Sequence, residues 1–351
     1  MSLAARIKRM IAQGGPMRLS DYMSLCLLDP EAGYYTTRTA IGAGGDFITA
    51  PEVSQVFGEL IGLALAQAWL DQGAPDPCIL AELGPGRGTL MADILRATRK
   101  VPGFHAAAQV VLVEASPLMR TLQAANVPAA RWCDSVEALP AGPLFLIANE
   151  FLDALPIRQF QRSSDGWHER LVTVQDGALT LGLGPQIALP DAPDADVFEQ
   201  NTMAESVMRI IASRIAVAGG AAIFIDYGAD ESRGDTFQAV QNHAYADPFS
   251  DPGTADLTAH VAFGPLARAA TNAGAAASAL ITQADFLLTL GLSARGAALA
   301  RHLSGAALDA HQAALNRLTH PGEMGTLFKV LGITPAAAPA IAALPRPVHS
   351  T

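Results

Sequence analysis

The sequence predicts an open α/β fold, with a largely parallel sheet and helices on both faces. Three observations carry that prediction. From residue 78 onward, short apolar runs alternate with segments whose apolar residues recur at helical spacing. A glycine-rich stretch, Gly84-Pro85-Gly86-Arg87-Gly88-Thr89, stands between the first such run and the first such helix. With 50% hydrophobic and 16% charged residues among 351, the chain can build one large domain with elaborations, or two domains.

The first 74 residues read as a helical and loop segment. Leu3, Ile7, Met10 and Ile11 share one helical face, so Leu3–Ala12 is expected to be a helix, ended by Gly14-Gly15-Pro16. Arg6, Lys8 and Arg9 give this stretch the look of a targeting sequence, but the helical pattern favours an ordinary first helix. Leu19-Ser20-Asp21 opens a second helix that runs to Leu28 and stops at Asp29-Pro30. The turn-rich stretch Ile41–Glu52 precedes a helix over Val53–Leu70. Its glycines and lone acid suit a functional loop, and equally a surface loop capped by Thr49.

Cys78–Ala81 is the first strand, and Leu90–Arg96 continues as a helix behind the glycines. Such a loop offers bare backbone and unpaired N–H groups to a ligand. A dinucleotide fingerprint needs a sixth-position glycine where Thr89 stands, and a phosphate loop of the Gly-Lys-Ser/Thr type needs a lysine. Glu82, two places before Gly84, would repel a pyrophosphate. It suits an ammonium or sulfonium group, and S-adenosylmethionine carries both without a phosphate. A tight turn with no ligand is the plain alternative.

Gln109–Val113 is the next strand, ending in Glu114, with a helix start at Ser116-Pro117. An acid at that strand end can accept from two ribose hydroxyls, or stand solvated. Arg131–Asp134 closes a weak third strand, and Pro143–Ala148 is a clear buried one. The latter leads into Asn149-Glu150-Phe151-Leu152-Asp153-Ala154-Leu155-Pro156, where a ligand of an open sheet is expected. The spacing places Glu150 and Asp153 on one side of a helical turn, able to grip a guanidinium bidentately. A polar helix start capped by Asn149 reads as well.

Ile157–Gln161, Trp167–Gln175 and Ala178–Leu183 form an expected β meander, inserted over about 157–200. A helix near Met203–Ala218 and a strand, Ala221–Ile225, follow, the strand ending in Asp226. About 231–275 reads as a second insertion, a cap. Residues 265–320 are helical apart from Ala279–Thr282, Thr326–Leu331 is the last strand, and 333–351 is a Pro/Ala-rich tail, expected to be poorly ordered over 335–351.

A net charge of −10 speaks against nucleic-acid binding, which runs on basic patches. Cys26, Cys78 and Cys133 are scattered and odd in number, implying no disulfide framework and a reducing compartment. His243 and His260 lack ligand spacing, so no metal is expected. No apolar run reaches a membrane span.

Several long motifs stand in register. They are Tyr22–Pro30, Gly33-Tyr34-Tyr35, Gly45-Asp46-Phe47-Ile48-Thr49-Ala50-Pro51-Glu52, Glu82–Met91, Asn149–Pro156 and Pro252–Ala259. Together, over roughly residues 16 to 332, the chain resembles the MidA-like family of S-adenosylmethionine-dependent methyltransferases. The resemblance implies a class I methyltransferase core over 75–332, with a Rossmann-like, mostly parallel seven-stranded sheet. It implies S-adenosyl-L-methionine as cofactor, bound by Glu82, Gly84, Gly86, Gly88, Glu114, Thr49 and Pro51. Asp134 would read the adenine amino group, although an aspartate in a turn or capping a helix near Val136 reads as well. Asn149, Glu150 and Asp153 would orient an arginine for N-methylation, to the symmetric dimethyl form, on a protein such as a respiratory complex I subunit. The family usually carries an acid where Ala262 stands. The bacterial cytoplasm, or the mitochondrial matrix for eukaryotic relatives, is the expected compartment, and homo-oligomerisation is compatible with the sequence. A non-catalytic S-adenosylmethionine-binding assembly factor and a nicotinamide-dependent oxidoreductase are the rival readings.

Overall fold

The apolar runs of the chain pair into one central sheet. Of its nine strands among the described residues, seven follow one path: β1 (Cys78–Leu83), β2 (Ala108–Val113), β3 (Arg131–Cys133), β4 (Leu144–Asn149), β5 (Gly220–Ala229), β6 (Ala275–Ala277) and β7 (Phe328–Pro335); two further strands of two residues each pair off that path. This computed structural model describes residues 1–37, 49–189, 193–232 and 234–347. The order across the sheet is β6-β7-β5-β4-β1-β2-β3. From β5 to β3 all neighbours are parallel, and β7 runs antiparallel against β5. Seven strands along one path, mostly parallel, is the α/β fold expected. Strands β1 and β4 are buried at every residue, as continuous apolar runs covered on both faces must be.

The strand order reverses between β1 and β4, which opens a crevice beyond their carboxyl ends. The helix Thr89–Thr98 follows β1 and buries Leu90, Met91 and Ile94. It packs on the helix Gln55–Asp71 almost backbone to backbone. A Cβ on Gly58 would lie 2.7 Å from Asp93 Cβ, and one on Gly62 2.9 Å from Ile94 Cα. The helix expected over Val53–Leu70 forms as Gln55–Asp71, starting two residues later. Ala50–Val53 is a short helix of its own, and Ser54, extended at φ −156°, caps the longer one by accepting from Val56 N–H.

The chain divides into two units. The sheet belongs to Ile48–Phe151, Ser206–Gly228 and Phe263–Thr351; the other unit comprises Met1–Phe47, Leu152–Glu205 and Ala229–Ala262. In the second unit the expected helices form as Leu3–Gly14 and Leu19–Leu28. The meander forms as Arg158–Ser163, Gly166–Gln175 and Ala178–Ile187, joined by Met17–Arg18 and Val197–Gln200. Leu3, Ile7, Tyr22, Met23 and Cys26 pack with Ile157, Val172 and Leu257 in its core. A small antiparallel sheet of Gln238–Gln241, Ala244–Ala246 and Asp256–Thr258 completes it. Its hairpin turns through Asn242 and His243 at positive φ, which places His243 in a tight turn.

Two expectations are corrected. Residues 149–156 form no helical turn; they make bends and a turn, and Glu150 takes φ +51°. The segment after residue 332 is not an unordered tail from its start: β7 extends to Pro335, and Ile341 and Leu344 are buried in the core of the sheet unit.

Candidate active site

Glu82 lies one residue before the end of β1, facing Ile147 of β4 and Leu112 of β2 in register. It is 3% exposed. Burial pushes its carboxyl up to about 8, partly offset by a backbone hydrogen bond from Met91. Among the described residues, its Oε2 is buried without a hydrogen-bond partner. An ionised carboxylate held there is costly until a cation meets it.

The loop that follows turns on its glycines. Gly84, Gly86 and Gly88 all take positive φ, and Gly88 N–H donates to Pro85 O at 2.7 Å to close the turn. A Cβ on Gly84 would meet Phe151 at 2.9 Å, so only glycine lets the loop lie there. Thr89 Oγ1 donates to Glu52 Oε1 at 2.6 Å, which ties the loop's helix to the short helix Ala50–Val53. Thr49 is that helix's N-cap residue but makes no side-chain capping bond, and Pro51, buried, lies in its first turn. The motif residues Gly45 to Ile48 lie outside the described residues.

Across the crevice, Asn149 ends β4. Its Nδ2 donates to Glu150 Oε1 at 3.0 Å, and its Oδ1 is buried without a partner among the described residues. Glu150 Oε1 also accepts from Ala50 N–H at 3.0 Å. A glutamate held in the left-handed region costs backbone energy, and such residues gather at functional sites. Phe151 N–H donates to Asp226 Oδ2 at 3.2 Å, so a wholly buried aspartate of β5 fixes the backbone just after Glu150. Asp226 had no sequence signal beyond its place at a strand end.

Glu114 follows β2. Its Oε1 accepts from Ser116 N–H at 2.8 Å and its Oε2 from Gln123 Nε2 at 3.0 Å. Burial raises its proton affinity against these bonds and the nearby Arg120 charge. Asp134 is largely exposed and pairs with Arg120 at 2.5 Å. It does not cap the short 3-10 helix Val136–Ala138, whose N-cap is Ser135. Asp153 lies in the other unit, buried, where its carbonyl accepts from Ala259 N–H at 3.0 Å.

Glu82, the three glycines, Glu114, Asn149, Glu150, Thr49 and Pro51 thus belong to one unit, along the carboxyl ends of β1, β2 and β4. Two orphaned buried acceptors, Glu82 Oε2 and Asn149 Oδ1, belong to β1 and β4, the strands that flank the crevice. A donor-rich cation such as an α-ammonium satisfies acceptors of this kind, and the open backbone of the loop suits an amino-acid moiety. The residues present therefore fit S-adenosylmethionine. Among the described residues, no cluster of ligating side chains suits a metal.

Comparison with known proteins agrees. Residues 60–281 match a family described as S-adenosyl-L-methionine-dependent methyltransferase. The chain is 35% identical to the mitochondrial protein arginine methyltransferase NDUFAF7 of Xenopus tropicalis, over 93% of this chain and 84% of that one. It is 34% identical to the Drosophila melanogaster homologue, over 95% and 85%. A Burkholderia thailandensis protein bound to S-adenosyl-homocysteine superposes with a TM-score of 0.84 at 30% identity, covering 97% of this chain and 94% of that one.

Proposed function

The chain belongs to the S-adenosyl-L-methionine-dependent methyltransferase family, and from that premise we propose that it methylates arginine nitrogen on a protein. The relatives named as protein arginine methyltransferases support the choice of acceptor. A respiratory complex I subunit as the protein, symmetric dimethylarginine as the product and the bacterial cytoplasm as the compartment complete the reading.

One observation carries the assignment of the site: the unpartnered, buried oxygens of Glu82 and Asn149 beside the glycine loop. The cofactor supplies a methyl group already activated by its positive sulfur. Glu82 and the loop backbone hold the methionine end, Glu114 accepts from the ribose, and Asp134, Thr49 and Pro51 border the adenosine. Glu150, anchored by Ala50 and Asn149, accepts from the guanidinium and turns a nitrogen lone pair toward the methyl carbon. Glu150 would also take up the proton that the guanidinium gives up on methylation. Positioning and electrostatics carry most of the acceleration. Asp153 is not part of this proposal, because the turn that would have paired it with Glu150 is absent.

Comparison of dimethylarginine across the proteome, by mass spectrometry with and without this protein, tests the reading. Loss of symmetric dimethylarginine from one or a few proteins is expected. An unchanged set of arginine methylations, with active protein restored as the control, would remove arginine as the acceptor.

A further inference from the structure

Behind the cofactor crevice runs the helix Pro117–Asn126. Three of its side chains, spaced three residues apart, point along one line. Arg120 Nε donates to Glu114 O at 2.8 Å. Gln123 Nε2 donates to Gly86 O at 2.8 Å and to Glu114 Oε2 at 3.0 Å. Asn126 Nδ2 donates to Arg87 O at 2.8 Å. This one helix therefore holds both the glycine loop and the acid at the end of β2.

Gln123 is the centre of that line. It is 0% exposed, and its Oε1 accepts from Trp132 Nε1 of β3 at 2.7 Å. Both carboxamide donors and its acceptor are thus used, and the indole N–H fixes which end is oxygen. A carboxamide meets these needs where other side chains fail. Glutamate would set an acceptor against Gly86 O and Glu114 Oε2. Leucine would leave those two acceptors and the indole N–H buried and unmet. Gly88 lies close by at φ +82°, where a Cβ would be strained and would sit 3.3 Å from Val127 Cγ2.

We propose that Gln123 is the positioning residue of the cofactor site, fixing Glu114 against the glycine loop and so setting how firmly the ribose hydroxyls are recognised. Glu114 has lone pairs left after its bonds to Ser116 and Gln123, and their direction is set by those two donors. Without Gln123 the carboxylate keeps the backbone donors of Ala115 and Ser116, both beside it in the chain, and loses its tie to the helix that holds the glycine loop. This inference rests on the assignment of Glu114 to the ribose given above.

The test titrates full-length protein with S-adenosylhomocysteine and with its 2′-deoxy analogue, by calorimetry. A site built to bond a hydroxyl discriminates strongly against its absence. Wild type should prefer the ribose form by about 10-fold or more, and Gln123→Leu should reduce that preference to about 3-fold or less. A variant that melts lower but keeps the full preference would make Gln123 a space-filling residue and overturn the proposal. Glu114→Ala separates the two ideas. If it leaves the preference intact, the ribose assignment falls and the proposal with it. If it abolishes the preference while Gln123→Leu does not, only the proposal falls. Should Gln123→Leu fail to fold, Trp132→Phe decides: it frees Oε1 alone, so a weakened preference supports the proposal and an unchanged one overturns it.

Discussion

Glu59 and Glu82 belong to the same unit and are each 3% exposed, yet their surroundings differ. Glu59, on the long helix Gln55–Asp71, accepts from Arg295 Nε at 2.6 Å and Nη2 at 3.0 Å, and from Arg96. Those guanidinium groups hold its carboxyl below the usual range against the effect of burial. Glu82 has a backbone bond from Met91 and one oxygen with nothing. Burial alone does not mark a binding site, since the fold provides for one acid and leaves the other wanting. The missing partner is what points to a cationic ligand.

The comparison can be broken in four ways. The largest effect is expected from Gly84→Val, which adds a side chain at φ +57° against Phe151. Calorimetry should show S-adenosylmethionine affinity reduced by roughly 100-fold or more while circular dichroism stays native; unaltered affinity would remove the loop from the site. Next, Glu59→Ala takes the acid from Arg295 and leaves Arg96 with Asp93. It should cost about 1 kcal/mol in a urea melt, because both arginines reach solvent and Arg96 stays paired, with little change in cofactor affinity beyond the loss of folded protein. A selective loss of affinity would erase the distinction between the two acids.

Glu82→Gln should do the reverse, lowering cofactor affinity by about 10- to 100-fold while raising the stability of unliganded protein at pH 8. The pH dependence separates the acids further. Glu82, raised from 4.5 to about 8, holds in the native state a proton that the unfolded chain releases. Its favourable contribution is complete below pH 4.5 and is lost as the pH climbs through about 8. Glu59 is shifted the other way, so its contribution is present above its unfolded value and is lost on acidification. Melting curves across pH should therefore fall at both ends, and Glu82→Gln should flatten only the alkaline limb. A wild-type curve without that limb would show Glu82 ionised in the unliganded protein. The smallest effect belongs to Asp134→Asn. Its side chain is 83% exposed, so affinity should move by about 3-fold at most. A larger change in the titration would give Asp134 a share in the adenine that its exposure argues against.

Much of the larger unit was legible in the chain. Unbroken apolar runs announced β1, β2 and β4, and glycines between a run and a helical pattern announced the loop. Glu82 stood out because a carboxylate beside such glycines has a restricted choice of ligands. What stayed hidden depends on distance along the chain. Arg295 meets Glu59 across 236 residues, and no local pattern announces that pair. Gln123 reads as one polar residue in an amphipathic helix, and its bonds to Gly86 and Trp132 appear only when a helix, a loop and a strand converge. Glu150 and Asp153 misled for a related reason. Spacing suggests a helical turn, but Asp226, reached through the sheet, holds the backbone of Phe151 in another conformation.

Strand β7 lies between β5 and β6, although it comes from the last part of the chain. During synthesis, then, the central sheet stays unfinished until Pro335 has left the ribosome, with the flank of β5 exposed in the meantime. The other unit has all its pieces once Ala262 is made. A truncation that removes β7 should therefore strike the sheet unit, which finishes later, rather than the unit whose pieces are complete first.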